Sequence, residues 1–195
     1  NLNVYFGNQR NGIFAQKPSP IQVNYLGFPG SAGADYMDYI VADKTVIPTD
    51  EKRYYQEKVI YLPNSYQPSD ISRQQHPDCG GRSDHGLPEE SFVFCCFNNN
   101  YKITPAIFDI WTEILKSVPN GVLWLLSDSE HAKQNLRQEA RSRGLDPGRL
   151  IFAERVDNAR HLARHRHADL FLDTLPCNAH TTASEVTWFC VVIFA

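Results

Sequence analysis

FVFCCFNNNYKITPAIFDIWTEILKSVPNGVLWLLSD, Phe92 to Asp128, decides the fold. FVFCCFN is a strand-like apolar run bounded by polar residues. TPAIFDIWTEILKSV follows it, with Ile107, Ile110, Trp111, Ile114, Leu115 and Val118 at the three- and four-residue spacing of one helix face. Thr104 and Pro105 suit the cap and first turn of that helix, and VLWLLSD, Val122 to Asp128, reads as the next strand. The alternation continues through a charged helix, SEHAKQNLRQEARSRG, that closes on Gly144. Then come a strand, RLIFAE, a helix, NARHLARHRHA, and a strand, DLFLDT. Strand and helix alternating in this way predict an α/β fold with a parallel sheet and helices on its faces.

Upstream of this region the pattern is less regular. IQVNYLG, DYIVAD and KVIYLP read as short strands, with FPGSAGA as a Gly-rich loop between the first two. The segment rich in Pro, Gly, Ser and Asp that follows reads as a linker between two lobes. The expected division is therefore a first lobe over 1–63, a linker over 64–90 and a second lobe over 91–195. The opening NLNVYF reads as a strand entered midway, so the chain is expected to be a piece of a longer one, with a first lobe lacking its initial strands and a second lobe truncated at its C-terminus. Apolar edges left uncovered in such a piece would favour aggregation.

With 195 residues, 42% hydrophobic and 21% charged, the chain is long enough for one large or two small domains. A formal net charge of -3 offers no global attraction to nucleic acid or to an anionic membrane, so any anion must be held locally. No apolar run approaches the ~18 residues of a membrane span. Cys79, Cys95, Cys96, Cys177 and Cys190 are odd in number and lack CxxC spacing, which predicts reduced thiols in an intracellular, cytoplasmic protein.

Parallel sheets of this kind bind ligands beyond the carboxyl ends of their strands. That singles out two turns, FNNNYKI after the first strand of the second region and PCNAHTT after DLFLDT. Lys102 enters a helix just past a strand end; it is either a surface lysine or a cation for a phosphate, beside three asparagines able to satisfy a polar edge. In AHTTASE, one reading has Thr182 capping a helix with Glu185 completing a capping box. The other has His180, Thr181 and Thr182 converging with helix amides on a phosphate. The two are compatible, since a cap uses one hydroxyl. His161 and Arg164 stand one turn apart and form either a ligand-facing pair or a solvated basic face. His161 and His165 alone are a weak zinc signal without a third ligand, so no metal site is expected.

Five stretches in order, PSPIQVNYLGFPGSAGADYMDYIVAD, EKVIYLPNSYQPSD, FVFCCFNNNYKITP, VPNGVLWLL and ADLFLDTLPCNAHTTASE, resemble the catalytic region of the O-linked N-acetylglucosamine transferases. These are intracellular GT-B glycosyltransferases with two Rossmann-like lobes, usually preceded by tetratricopeptide repeats. The bacterial branch fits better than the animal one. The resemblance covers nearly the whole chain, excepting the linker interior and the last ten residues. It implies transfer of N-acetylglucosamine from UDP-GlcNAc to Ser or Thr hydroxyls of proteins, with inversion, without an obligatory metal or other cofactor, and with a nucleotide sugar and a protein acceptor as partners. Lys102 is thereby implied to bind the diphosphate and stabilise the leaving UDP, and His180, Thr181 and Thr182 match the phosphate-binding His-Thr-Thr. His161 and Arg164 match the pair that stacks on and hydrogen-bonds uracil, and Leu26 and Gly27 match the backbone beside the sugar. Asn99 stands where the family usually has Gln near the nucleotide. Glu185 is implied both to cap its helix and to face the ribose.

The departures are specific. Glu185 replaces an Asp, and Asn158 stands where animal members have a lysine. VTWFCVVIFA replaces a small-residue, Gly-Pro continuation and looks like a foreign or frameshifted tail. The tract around FGNQRNG is shorter, and the family's His- and Asp-bearing first strand and turn would lie upstream of Asn1. The alternatives are a Spindly-like protein O-fucosyltransferase using GDP-fucose, or a nucleotide-binding fragment without activity; this piece alone is expected to be inactive.

Overall fold

A computed structural model describes residues 2, 5, 9–70, 72–127, 129–188 and 192–194. Most of NLNVYF, the start of FGNQRNG and Cys190 lie outside the described residues. Contacts divide the chain into two units, Asn1–Pro68 and Ser69–Ala195.

The first unit contains a short helix, α1 (Asn11–Ala15), and a parallel sheet in the order β1 (Val23–Tyr25), β2 (Tyr39–Ala42), β3 (Lys58–Tyr61). All three strands fall within the stretches expected for them. The Gly-rich loop is held by a buried carboxylate, Glu57, which accepts from Asn24 Nδ2 at 2.7 Å, the Ala32 amide at 2.7 Å and Ser31 Oγ at 2.7 Å. Asp43 fixes the end of β2 in the same way, accepting from the amides of Thr45 at 2.9 Å, Val46 at 2.9 Å and Tyr66 at 2.8 Å. Burial raises the Asp43 pKa, but these three donors outweigh it and hold the carboxyl below its ordinary value.

The second unit is a five-stranded sheet of β4 (Phe92–Cys96), β5 (Gly121–Leu126), β6 (Leu150–Ala153), β7 (Leu170–Leu172) and β8 (Val192–Phe194), in the order β6-β5-β4-β7-β8. Every pairing is parallel. Helices α2 (Pro105–Ser117), α3 (Glu130–Ser142) and α4 (Asn158–Arg164) connect successive strands, and α5 (Thr181–Thr187) follows β7. Thr104 caps α2 through the Ile107 amide at 3.3 Å, with Pro105 in the first turn, as its position predicts. Gly144 takes φ +73 just past α3, a left-handed conformation that glycine adopts without steric cost.

The core explains the apolar runs. β4 and β5 are buried between helices along most of their length. α2 covers the sheet with Ile107, Phe108, Trp111, Thr112 and Leu115. Ile110, expected on that face, is instead 49% exposed, because the inward stripe passes through Phe108 and Thr112. The closing segment, read from the sequence as a foreign or frameshifted tail, adds β8 to the sheet through Leu170↔Val192, Phe171↔Ile193 and Leu172↔Phe194. Residues from Ser69 to about 90, expected as linker, pack within the second unit: Arg82 pairs with Asp169 at 3.0 Å, and His85 stacks near Trp124. Cys79, Cys95, Cys96 and Cys177 are free thiols. Burial pushes the Cys95 thiol up and raises that of Cys96 to about 12, which makes both poor nucleophiles.

Trp111 is 1% exposed, so Trp111→Ala is expected to cost about 3–5 kcal/mol. Ile110→Ser, at an exposed position, should stay within about 0.5 kcal/mol. Chemical denaturation of the two variants measures the contrast, and equal losses would contradict the observed α2 face.

Candidate functional site

The order β6-β5-β4-β7-β8 means the chain grows outward in one direction from β4, then returns to its other side with β7. The loops that leave β4 and β7 therefore diverge from adjacent strands, which opens a crevice at their carboxyl ends. These loops are FNNNYKI and PCNAHTT.

Asp173, directly after β7 and 5% exposed, joins them. Its Oδ1 accepts from the Thr174 amide at 2.7 Å, the Ala179 amide at 2.8 Å and Asn98 Nδ2 at 3.1 Å. Its Oδ2 accepts from Asn178 Nδ2 at 3.0 Å. Asn98 Nδ2 also donates to Thr174 Oγ1 at 2.9 Å, and Thr174 Oγ1 donates to the Cys177 carbonyl at 2.7 Å. Across this junction Lys102 Nζ reaches the Asn178 carbonyl at 2.9 Å. Lys102 is accordingly not a surface lysine: its stem is half-buried and its ammonium lies on the turn that carries His180 to Thr182. Burial and then the nearby Lys102 charge lower the His180 pKa, keeping that imidazole neutral at pH 7.

Beside this junction lies a cavity of about 350 Å³ lined by Asn99, Asn158, His161, Arg164 and Thr182, together with Phe97, Leu126, Arg155 and Val156. Five of the expected residues thus come together from three connections. Asp157 caps α4 by accepting from the Arg160 amide at 3.0 Å, which sets Asn158, His161 and Arg164 along one face. Arg164 is 3% exposed, donates to the Glu154 carbonyl at 2.8 Å and hydrogen-bonds His161 Nδ1. Its guanidinium lies 4.5 Å from the centroid of Phe97. Burial lowers its pKa to about 10, so it remains charged at neutral pH. The solvated basic face considered for this helix is excluded by that burial and by His165, which is 0% exposed.

α5 corrects the capping reading. The helix starts at Thr181, two residues before the Ala183 start that a Thr182 cap predicts, and the N-cap His180 makes no side-chain cap hydrogen bond. Glu185 does not reach back to the helix start. Its Oε1 accepts from Arg73 Nη1 at 2.6 Å, and its Oε2 lies 3.6 Å from His161 Nε2. Burial raises the Glu185 pKa, but His161 and Arg73 together outweigh it and hold the carboxyl below its ordinary value. With seven residues in α5, little macrodipole accumulates, so an anion there must rely chiefly on side chains.

Leu26 and Gly27 belong to the first unit, directly after β1. Leu26 takes φ +73, a conformation costing about 1–2 kcal/mol for a residue with a Cβ. The Gly27 amide donates to the Tyr25 carbonyl at 3.0 Å, closing the tight turn that imposes it. Three residues of the second unit escape a sequence reading: Asp173, Arg73 and Arg155, whose Nη2 donates to Asn99 Oδ1 at 3.4 Å. Only Asp173 carried a local signal, as an acidic residue at a strand end. Among the described residues no group of three or more His, Cys, Asp or Glu side chains is placed to hold a metal ion. None of their helices is long and apolar enough to cross a membrane.

The description "Glycosyl transferase family 41" matches residues 1–78 and 69–195. The chain belongs to glycosyl transferase family 41. The match extends through the linker interior and the last ten residues, where the motif resemblance stopped. Across 96% of its length the chain is 43% identical to the probable UDP-N-acetylglucosamine--peptide N-acetylglucosaminyltransferase SEC of Arabidopsis thaliana, covering 20% of that protein. It is 30% identical over 94% of its length to the probable UDP-N-acetylglucosamine--peptide N-acetylglucosaminyltransferase SPINDLY of Oryza sativa subsp. japonica, again covering 20%. Among solved structures, a mutant O-GlcNAc transferase of Thermobaculum terrenum matches with TM-score 0.78 at 28% identity, covering 93% of this chain and 34% of that one. The two parallel units are thus of the Rossmann-like kind found in GT-B glycosyltransferases, and the chain spans about a fifth of the curated relatives it matches. The plant identity exceeds the bacterial one, a branch outside the bacterial-versus-animal comparison drawn from the motifs.

A buried histidine within this family-41 unit gives the stability a pH signature. Burial, followed by the neighbouring His161, lowers His165 to about 4, against 6.5 for a free imidazole. Between those values the unfolded chain binds a proton that the folded one refuses, so stability is full above about pH 6.5 and is lost as pH falls toward 4. His167 and His180, also lowered, act in the same direction. Thermal denaturation of the protein from pH 7 to pH 5 should show this decline, with a shallower slope in His165→Leu; an unchanged slope would remove His165 as a contributor.

Proposed function

We propose that the parent protein transfers N-acetylglucosamine from UDP-GlcNAc to Ser or Thr hydroxyls of proteins with inversion, and that this chain supplies much of the donor site. The observation that carries this reading is the position of Lys102, held at the Asn178 carbonyl on the turn bearing His180 to Thr182, beside the cavity of His161 and Arg164. A diphosphate suits that turn because a fixed ammonium and two hydroxyls supply donors there. A base suits the part of the cavity lined by His161 and Arg164, whose side chains are hydrogen-bonded to each other.

In the reaction the acceptor oxygen forms a bond to the anomeric carbon as the bond to UDP breaks. The electron pair passes to the outer phosphate, and the acceptor proton is lost to a base. Lys102 meets charge that grows on the departing phosphate, so it favours the transition state over the ground state. Asn158 and Asn99 serve the nucleotide, Glu185 the ribose hydroxyls, and Leu26 and Gly27 the sugar from the first lobe. The strained Leu26 backbone supports that last role, since such strain concentrates at binding sites. The reading includes a first lobe over 1–63, a connection over 64–90 whose part from Ser69 packs within the second unit, a second lobe over 91–195, tetratricopeptide repeats upstream, a cytoplasmic location and chemistry without an obligatory metal. The 43% identity with SEC, named as a probable UDP-N-acetylglucosamine--peptide N-acetylglucosaminyltransferase, supports N-acetylglucosamine as the sugar, with fucose from GDP-fucose as the alternative.

In the full-length parent, Lys102→Met is expected to depress kcat roughly 10²-fold or more while changing donor KM far less. Initial-rate kinetics with UDP-GlcNAc, and mass spectrometry of the modified acceptor to identify the sugar, test both halves of the proposal. An unchanged kcat removes Lys102 from catalysis, and a deoxyhexose on the acceptor replaces the donor with the fucose nucleotide.

Because the N-cap position of α5 is His180 and not a threonine, Thr181→Ala and Thr182→Ala probe binding without replacing the cap residue. Each hydroxyl bonded to a diphosphate oxygen is expected to contribute about 1.5–3 kcal/mol, or roughly 10- to 150-fold in the Kd for UDP. Calorimetric titration of the full-length variants measures this. Affinities equal to wild type would confine the donor site to Lys102 and the His161/Arg164 pair.

A further inference from the structure

Glu185 is the least self-explanatory member of the site. It is 7% exposed, lies on α5 one turn after Thr182, and makes no contact with its own helix start. Its charge is balanced from a distant part of the chain, through Arg73 Nη1 on Oε1 at 2.6 Å. Arg73 is held in turn: its Nε donates to the Asp70 carbonyl at 3.3 Å, and its guanidinium stands 5.3 Å from the Trp188 ring centroid.

The short segment that carries Arg73 is fastened on both sides. Ser69 Oγ and Ser184 Oγ are 3.0 Å apart, which ties the segment to α5. The His76 amide donates to the Ala159 carbonyl at 3.1 Å, and Arg166 Nη2 donates to Gln75 Oε1 at 2.6 Å, which tie it to α4 and the residues that follow. The strap therefore joins the two helices that place His161 and Thr182 on the cavity, and Arg73 is its one ionic contact with Glu185.

We infer that Arg73 is a positioning residue for donor binding, orienting the Glu185 carboxylate so that Oε2 faces the ribose hydroxyls. The inference rests on the donor-site reading above. A carboxylate offers about four lone-pair directions across two oxygens. The short Arg73 bond consumes part of Oε1 and fixes the plane of the group, while His161 Nε2 at 3.6 Å stands beside Oε2, toward the cavity it lines. A hydroxyl that reaches Oε2 beside His161 finds an ionised acceptor whose orientation Arg73 restrains. The side chain is one methylene longer than Asp, and that extra freedom is what Arg73 removes. Without Arg73 the carboxylate would keep its burial but lose its cation and its orientation.

The test is calorimetric titration of the full-length parent with UDP and with its 2′-deoxy and 3′-deoxy analogues, for wild type, Arg73→Met and Arg73→Lys. Met preserves the apolar stem against Trp188 and removes the charged fork. Wild type should prefer UDP over at least one deoxy analogue by roughly 10-fold or more, the value of a hydrogen bond to a charged group. Arg73→Met should reduce that ratio to within about threefold, and Arg73→Lys should recover part of it. Should the Met variant not fold, Arg73→Gln takes its place, since it keeps a donor without the charge. A ratio unchanged in the neutral variant, including the case where all three ligands weaken equally, overturns the role of Arg73 and leaves the donor site standing. Wild-type protein that binds UDP yet does not distinguish the analogues overturns the ribose role of Glu185, and absence of UDP binding overturns the donor-site reading; Arg73 loses its role in both cases.

Discussion

The carboxylate of Asp173 ties the site together. A parallel sheet delivers the loops after β4 and β7 side by side but leaves their polar groups unpaired at the sheet edge, where burial makes each unpaired group costly. Asp173 accepts from two amides of its own turn and from the side chains of Asn98 and Asn178, so one buried acceptor sets the shape of PCNAHTT and its distance from FNNNYKI. With that turn closed, the Asn178 carbonyl points at Lys102 and His180 lies within reach of the lysine's charge. The position of the ammonium therefore follows from a hydrogen-bond network that Lys102 joins only through the Asn178 carbonyl.

Charge is local in this molecule. A chain of net charge -3 gathers Lys102, Arg155 and Arg164 around one crevice. Arg164 is the costly member, since a buried guanidinium forfeits hydration, and its carbonyl, imidazole and ring contacts compensate for that loss. Arginine suits the position better than lysine because its planar head meets three partners at once and stays ionised even with its pKa lowered to about 10. Glu185 is the single carboxylate among the expected site residues; burial raises its pKa, but hydrogen bonds from His161 and Arg73 hold it below its ordinary value. The site is thus a set of mutually dependent charges held in fixed orientations before any ligand arrives, the arrangement that favours binding and catalysis by electrostatic preorganisation.

What the sequence by itself determined is the alternation of the second unit. β4, β5, β6 and β7 and the helices between them each carry a periodicity of their own, and the Thr104-Pro105 and Gly144 signals mark boundaries through backbone chemistry that needs no distant partner. The strand-end rule then pointed to FNNNYKI and PCNAHTT, because parallel topology alone puts those turns on one edge. The residues Asn99, Asn158, His161, Arg164 and Thr182 that line one cavity were all legible from motif positions.

Only the tertiary structure decided how those residues are used. Thr182 and Glu185 have the spacing of a capping box, yet the helix begins at Thr181 and Glu185 turns away, because Arg73, 112 positions earlier in the chain, offers its carboxylate a full charge where a cap offers a backbone dipole. Ile110 keeps the helical period but faces solvent, since which stripe of α2 is covered depends on the sheet beneath it and not on the spacing of its own apolar residues. The same holds for VTWFCVVIFA, whose departure from the family's Gly-Pro continuation gave no sign of a strand that needs β7 as its partner. Local pattern specifies elements because their hydrogen bonds close within a few residues; ion pairs, edge strands and the choice of buried face are settled by groups that meet only when the chain has folded.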